Sequence, residues 1–124
     1  MLEVFSTSVD VAVGAPIPFN NVSVRKGCTA VESAPATIQL NKCGVYMVSV
    51  DASAEASTTI ELSKDGLLQP QAQSTGTSLS FETLVQVPSS NSYCCCSSPT
   101  VIQLYNTGAA TTFTNVNVVV TKVC

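Results

Sequence analysis

The residues best suited to chemistry in this chain are its six cysteines, and no histidine accompanies them. Histidine is the usual general base and the commonest metal ligand in proteins. Without it, neither a Ser-His-Asp nor a Cys-His arrangement can form within one chain. The chemistry open to the sequence is therefore that of thiols and carboxylates. The thiols belong to Cys28, Cys43, Cys94, Cys95, Cys96 and Cys124.

The spacing of these cysteines leaves three structural roles open. Cys28 and Cys43 fit small, buried, apolar residues of a protein made in a reducing compartment. Alternatively, one of these two forms a disulfide with a member of the triplet. The three triplet side chains cannot easily all pair, because adjacent side chains of an extended chain point to opposite faces. In the third role, Cys94 and Cys96 point to the same side, and Cys28 or Cys43 completes a four-thiolate site. The paired Cys-x-x-Cys spacing of structural zinc sites is missing, however, so we predict no metal. Cys124 remains available to bond another chain.

The carboxylates offer the other route to catalysis. Asp51 with Glu55, and Glu61 with Asp65, are candidate pairs close in sequence. If they lie on strands, residues four apart are separated by roughly 13 Å, too far for one acid–base pair. Solvated carboxylates are the simpler interpretation, and the sequence shows no calcium loop and no glycine-rich phosphate loop. We therefore predict a protein that is not an enzyme and needs no cofactor.

Charge is scarce along the chain. Charged residues make up 10% of the 124 residues, against about 25% in typical soluble domains, and the net charge is −3. The five basic residues form no stripe that could displace counterions from a nucleic acid. So weakly charged a surface favours burial in an assembly, and we expect a homo-oligomer. No apolar stretch is long enough to span a membrane, and the first residues lack the features of a signal peptide.

Alternating apolar and polar residues indicate strands throughout the chain, and no window has the periodicity of a helix. The clearest run covers residues 46–52, and a second, 58–62, leads into Asp65-Gly66, a strong hairpin signal. Further runs lie at 36–40, 78–87, 101–105 and 112–123, and around Val9, Val11 and Val13. The density of strands predicts one all-β sandwich or barrel domain, residues 1–124. The side chains expected in its core are Tyr46, Val48, Val50, Ile60, Leu62, Leu79, Phe81, Val116, Val118 and Val120.

Three segments follow one another at spacings typical of one protein family. They are Pro16-Ile17-Pro18-Phe19-Asn20, then Gly44-Val45-Tyr46 at the start of a long strand, then Lys64-Asp65-Gly66 at the end of another strand. Together they resemble the globular head shared by complement and tumour-necrosis-factor-like proteins, across nearly the whole chain. The resemblance implies a single jelly-roll β-sandwich of about eight to ten antiparallel strands. It also implies a tight homotrimer assembled around aromatic and aliphatic strand residues. The chain departs from the family in lacking a Gly-X-Y collagen stalk and in its Cys-Cys-Cys run.

Bacterial relatives of that head cap collagen-like spore filaments or occur on phage particles, which leaves two principal functions open. The first is a structural protein, a trimeric decoration or head-fibre knob on a phage capsid. It would be made in the host cytoplasm and displayed on the virion surface, with the major capsid protein or other virion proteins as partners. The alternative is a bacterial spore-surface or secreted head that binds a receptor or glycan. The absence of a stalk and of an export signal favours the first. A small enzyme has only the carboxylates in its favour.

Overall fold

All the secondary structure described in this protein is β-strand. The computed structural model describes residues 1–26, 30–34, 36–87 and 100–123. None of these residues belongs to a helix that could cross a membrane. The strands within these ranges are β1 (Leu2–Val11), β2 (Ala15–Pro16), β3 (Asn21–Arg25), β4 (Ala30–Ala34), β5 (Thr37–Leu40), β6 (Gly44–Lys64), β7 (Leu67–Val87), β8 (Thr100–Asn106) and β9 (Thr111–Lys122).

The strands form one antiparallel hydrogen-bonded network that curls into two layers. The first layer has the order β3-β1-β9-β6-β7, and the second has the order β4-β5-β8-β6-β7, with β2 also paired to β8. β6 and β7 belong to both layers, because the register of their pairing shifts between Ser53 and Thr58 and each strand continues into the second layer. The layers enclose one apolar core. The fold is the all-β jelly roll that the sequence predicts.

The turn that joins β6 to β7 is the hairpin that the Asp-Gly pair predicts. Asp65 and Gly66 have φ angles of 51° and 86°, both positive, as a type I′ turn requires. The Asp65 amide donates to the Val101 carbonyl at 2.8 Å, and Asp65 Oδ1 accepts from the Val101 amide at 2.9 Å. These two bonds hold the tip of the hairpin against the start of β8.

The predicted core is confirmed at every position except Phe81. Phe81 is half-buried and packs against the edge of the core. It lies on β7, which pairs only with β6 among the described strands, so one flank of this residue has no neighbouring strand among them. A second expectation is also wrong: Val13 does not continue the buried face of Val9 and Val11. It is 57% exposed, because β1 ends at Val11 and the chain then turns at Gly14.

The first residues of the chain form a strand that the sequence pattern leaves unassigned. Leu2 and Val4 are both 0% exposed, and Ser6 occupies the next inward position, also at 0%. The buried Ser6 hydroxyl donates to the Pro18 carbonyl at 2.5 Å and accepts from the Asn20 amide at 2.8 Å. A serine at a core position hides the alternation that would otherwise reveal this part of β1.

A buried polar network closes the end of the sandwich where β8 leads into β9. The Thr58 hydroxyl donates to Asn106 Oδ1 at 2.5 Å and accepts from the Ala109 amide at 2.8 Å. Asn106 Nδ2 donates to the carbonyls of Ala109 at 2.8 Å and of Val11 at 3.2 Å. Because both buried side chains have partners, the network ties β1, β6 and β8 together without leaving either of them unsatisfied.

Candidate interaction surface

The outward face of the first layer carries an apolar band that crosses four strands diagonally. Leu84 on β7 lies directly opposite Met47 on β6. Val119 on β9 is one diagonal step from Met47, and Phe5 on β1 is one diagonal step from Val119. Diagonal neighbours on one face of a sheet lie within reach of long and aromatic side chains. Leu84 is 62% exposed and Met47 is 38% exposed. These four residues are called the apolar band below.

Three carboxylates flank the apolar band, and two of them line a small groove. Glu3 accepts hydrogen bonds from the Ser23 hydroxyl and from Asn117 Nδ2. Asp51 and Glu82 are diagonal neighbours on β6 and β7 and line a groove of about 160 Å³. Sites for small molecules usually occupy about 300–1,000 Å³. The groove between Asp51 and Glu82 is smaller than that range.

The candidate carboxylate pairs lie where solvated groups are expected. Asp51, Glu55 and Asp65 are exposed, and Glu61 is half-buried. The structure instead places Asp51 beside Glu82, which lies on a different strand. The sequence contains no local signal for that neighbour, because the two residues are brought together only by the register of β6 and β7.

Cys43 is the predicted thiol residue that the structure describes. It is 1% exposed, directly precedes β6, and is disulfide-bonded. Within the described part of the chain, no three His, Cys, Asp or Glu side chains lie close enough together to hold a metal ion. The roles of the other cysteines stay predictions. Those outside the described residues are Cys28, Cys94, Cys95, Cys96 and Cys124.

Several solved structures share this fold at low sequence identity. The globular domain of zebrafish complement 1qA protein is 10% identical, with a TM-score of 0.66 over 95% of this chain and 94% of that chain. Murine APRIL is also 10% identical, with a TM-score of 0.67 over 98% of each chain. The vertex protein P5 of phage PRD1 is 15% identical, with a TM-score of 0.61 over 94% of this chain and 93% of that chain.

No protein-family model matches the sequence, and no curated protein matches it. The structural likenesses confirm the predicted resemblance at the level of the fold: this is the jelly roll of tumour-necrosis-factor-like and complement heads. The likenesses thus establish the fold of the chain as a jelly roll.

Proposed function

We propose that this chain is a non-enzymatic, homotrimeric jelly-roll domain that decorates a phage capsid or forms the knob of a head fibre. The observation that carries the proposal is the apolar band. Fully burying a Leu or Met side chain contributes roughly 1.5–3 kcal/mol. A second copy that covers Leu84 and Met47 therefore gains free energy that is not available to the monomer. Repetition of such a contact around a three-fold axis closes the assembly and leaves no open end.

The surroundings of the apolar band suit an interface between copies. Interfaces combine an apolar centre with a polar, solvated rim. Here the centre is Met47 and Val119, and the rim consists of Glu3, Asp51 and Glu82, which border them on the same outward face. The scarcity of charge over the whole chain, 10% of its residues, also favours an assembled state.

The fold shared with a phage vertex protein supports placing the domain on a virion. On this proposal, the domain binds the major capsid protein or other virion proteins. The whole chain, residues 1–124, acts as one domain. In this role the surface presented by the trimer matters and no reaction is required.

A spore-surface or secreted head is the second candidate, and the cross-linked Cys43 favours it. Structural disulfides form and persist in oxidising compartments and are rare in the cytosol. A virion protein meets such conditions only after release from its host, whereas a secreted protein meets them during folding.

The trimer is tested by light scattering coupled to size-exclusion chromatography. We expect the wild-type mass to be three times the 12.9 kDa of one chain. Met47→Glu should produce monomers, because it places a charge in the apolar centre of the contact. Leu67→Glu is the matched control: Leu67 is 71% exposed, but it lies at the hairpin tip, away from the band. A monomeric wild type, or equal dissociation of the two variants, would contradict the proposed interface.

The location is tested with antibodies raised against the purified domain. Labelling of phage particles in negative-stain electron microscopy is the expected result. Labelling of spores or of the culture medium, with unlabelled particles, would instead establish the second candidate.

A further inference from the structure

The outward face of the second layer is polar yet almost without charge. This face is formed by β5, β8, the second half of β6 and the first half of β7. Away from the hairpin tip, its described outward residues include one charged side chain, that of Glu61. Protein surfaces usually carry roughly a quarter to a third charged residues. Glutamine, threonine and tyrosine replace them here. The residues that define this amide face are Thr37, Glu61, Gln71, Gln73, Gln103 and Tyr105.

Tyr105 lies at the centre of the amide face. It pairs with Glu61 on β6 on one side and with Pro16 on β2 on the other, and Glu61 in turn pairs with Gln73 on β7. Neighbouring strands are about 4.8 Å apart, so these four side chains form a continuous row across the sheet. The row combines one aromatic ring with a carboxylate and an amide.

Hydrogen bonds within the face hold several of these groups in place. The Tyr105 hydroxyl donates to Gln103 Oε1 at 2.9 Å, and Gln103 Nε2 donates to Thr37 Oγ1 at 3.1 Å. On β7, which lies on the far side of β6 from β8, Gln71 Nε2 donates to Gln69 Oε1 at 3.3 Å. An amide has two donors and an oxygen with two lone pairs, so each of these glutamines retains hydrogen-bonding capacity toward solvent. Gln103 is already held by its bonds to Tyr105 and Thr37, so its side chain loses less freedom when a ligand binds than an unrestrained glutamine would.

The chemistry of the amide face selects its ligand by charge. An anionic polymer is repelled by the Glu61 carboxylate and by the net charge of −3 on the chain. The described residues of this face include no cation that could offset the repulsion. The exposed leucines of this layer, Leu67 and Leu68, lie at the hairpin tip, so the residues paired with Tyr105 and Glu61 offer an apolar partner or a bilayer no large apolar patch. A neutral ligand with many hydroxyl groups suits the glutamine amides, the Glu61 carboxylate and the Tyr105 ring. The amides and the carboxylate can hydrogen-bond to hydroxyls, and the ring can pack against apolar C–H groups.

We propose that the amide face binds a neutral polysaccharide of a cell surface. The inference deepens the proposed surface role and rests on it only for the display of the domain. The apolar band lies on the other layer, so a trimer that buries the band leaves the amide face open to a long polymer.

The test is native gel electrophoresis of the full-length protein through dextran, mannan or galactan, with polygalacturonate as an anionic comparison. We expect at least one neutral polymer to retard the wild type and polygalacturonate to have no effect. Tyr105→Ala and Gln73→Ala should each weaken the retardation about tenfold, which corresponds to about 1.4 kcal/mol. Tyr105→Phe keeps the aromatic ring, so this variant should retain most of the retardation seen for the wild type. Asn115→Ala, at an exposed position of β9 on the other layer, is the matched control and should behave as wild type.

Three results would overturn the inference: no retardation by any neutral polymer, equal retardation by polygalacturonate, or equal losses in Gln73→Ala and Asn115→Ala. Gln73 is exposed, so its replacement tests binding even if Tyr105→Ala fails to fold. Light scattering on the same samples separates the two proposals. A trimer that binds no polymer refutes only the amide-face inference, and a monomer that binds polymer refutes only the trimer.

Discussion

Replacing Gly108 with alanine tests how tightly the chain packs where β8 leads into β9. A Cβ at this position would stand 2.3 Å from the Thr59 amide nitrogen and 2.6 Å from Thr58 Oγ1. Both distances lie far inside van der Waals contact. Gly108 and Ala109 are also bonded to β6, since their amides donate to the Thr59 carbonyl at 3.2 Å and to Thr58 Oγ1 at 2.8 Å. A methyl group can be admitted only if this segment moves away and stretches both bonds.

The magnitude follows from these two effects. Overpacking costs about 1–3 kcal/mol, and each weakened hydrogen bond costs about 0.5–1.5 kcal/mol. We therefore expect Gly108→Ala to lower the free energy of unfolding by about 2–6 kcal/mol, a large share of the roughly 5–15 kcal/mol typical of a domain. Urea unfolding at one fixed protein concentration measures the loss, because oligomerisation makes apparent stability depend on concentration.

Gly66→Ala is the control for this experiment. Gly66 has φ +86°, and no atom of another residue beyond its chain neighbours lies within 4 Å of the place a Cβ would take, so alanine there adds backbone strain and no clash. That strain costs roughly 1–2 kcal/mol. If Gly108→Ala costs no more than Gly66→Ala, the close approach of the 107–110 segment to β6 is not what stabilises this end of the sandwich.

Two further predictions concern the core and the disulfide. Phe113→Ala should lower the free energy of unfolding by about 3–5 kcal/mol, because the Phe113 ring is fully buried. Phe81→Ala should lower it by less than half as much, because Phe81 is half-buried. Equal losses in urea unfolding would place Phe81 inside the core. Strong reductant should lower the melting temperature but leave the fold intact, since a disulfide such as that of Cys43 contributes about 2–4 kcal/mol and a chain of this size buries a substantial core. Calorimetry with and without reductant checks this, and unfolding on reduction at room temperature would favour the secreted candidate over the virion one.

Local geometry explains why much of the fold follows from the sequence. Side chains alternate between the two faces of a strand, so the pattern around Tyr46, Val48 and Val50 predicts both the strand and its buried face. The Asp65-Gly66 pair predicts its hairpin for an equally local reason, because both positions of the turn need positive φ. The same logic fails at Ser6, where a buried polar residue satisfied by Pro18 and Asn20 interrupts the pattern.

Tertiary structure alone decides which strands become neighbours. Alternation shows that Met47 and Leu84 face away from the core, but not that they meet each other, nor that Val119 and Phe5 extend them into one band. Those contacts depend on the order β7-β6-β9-β1, which joins the two ends of the chain. Phe81 shows the same limit, because its exposure depends on the place of β7 at the edge of the described strands. Periodicity depends on the backbone of one strand, whereas pairing depends on the free energy of the whole assembled sandwich, in which distant segments compete for the same edges.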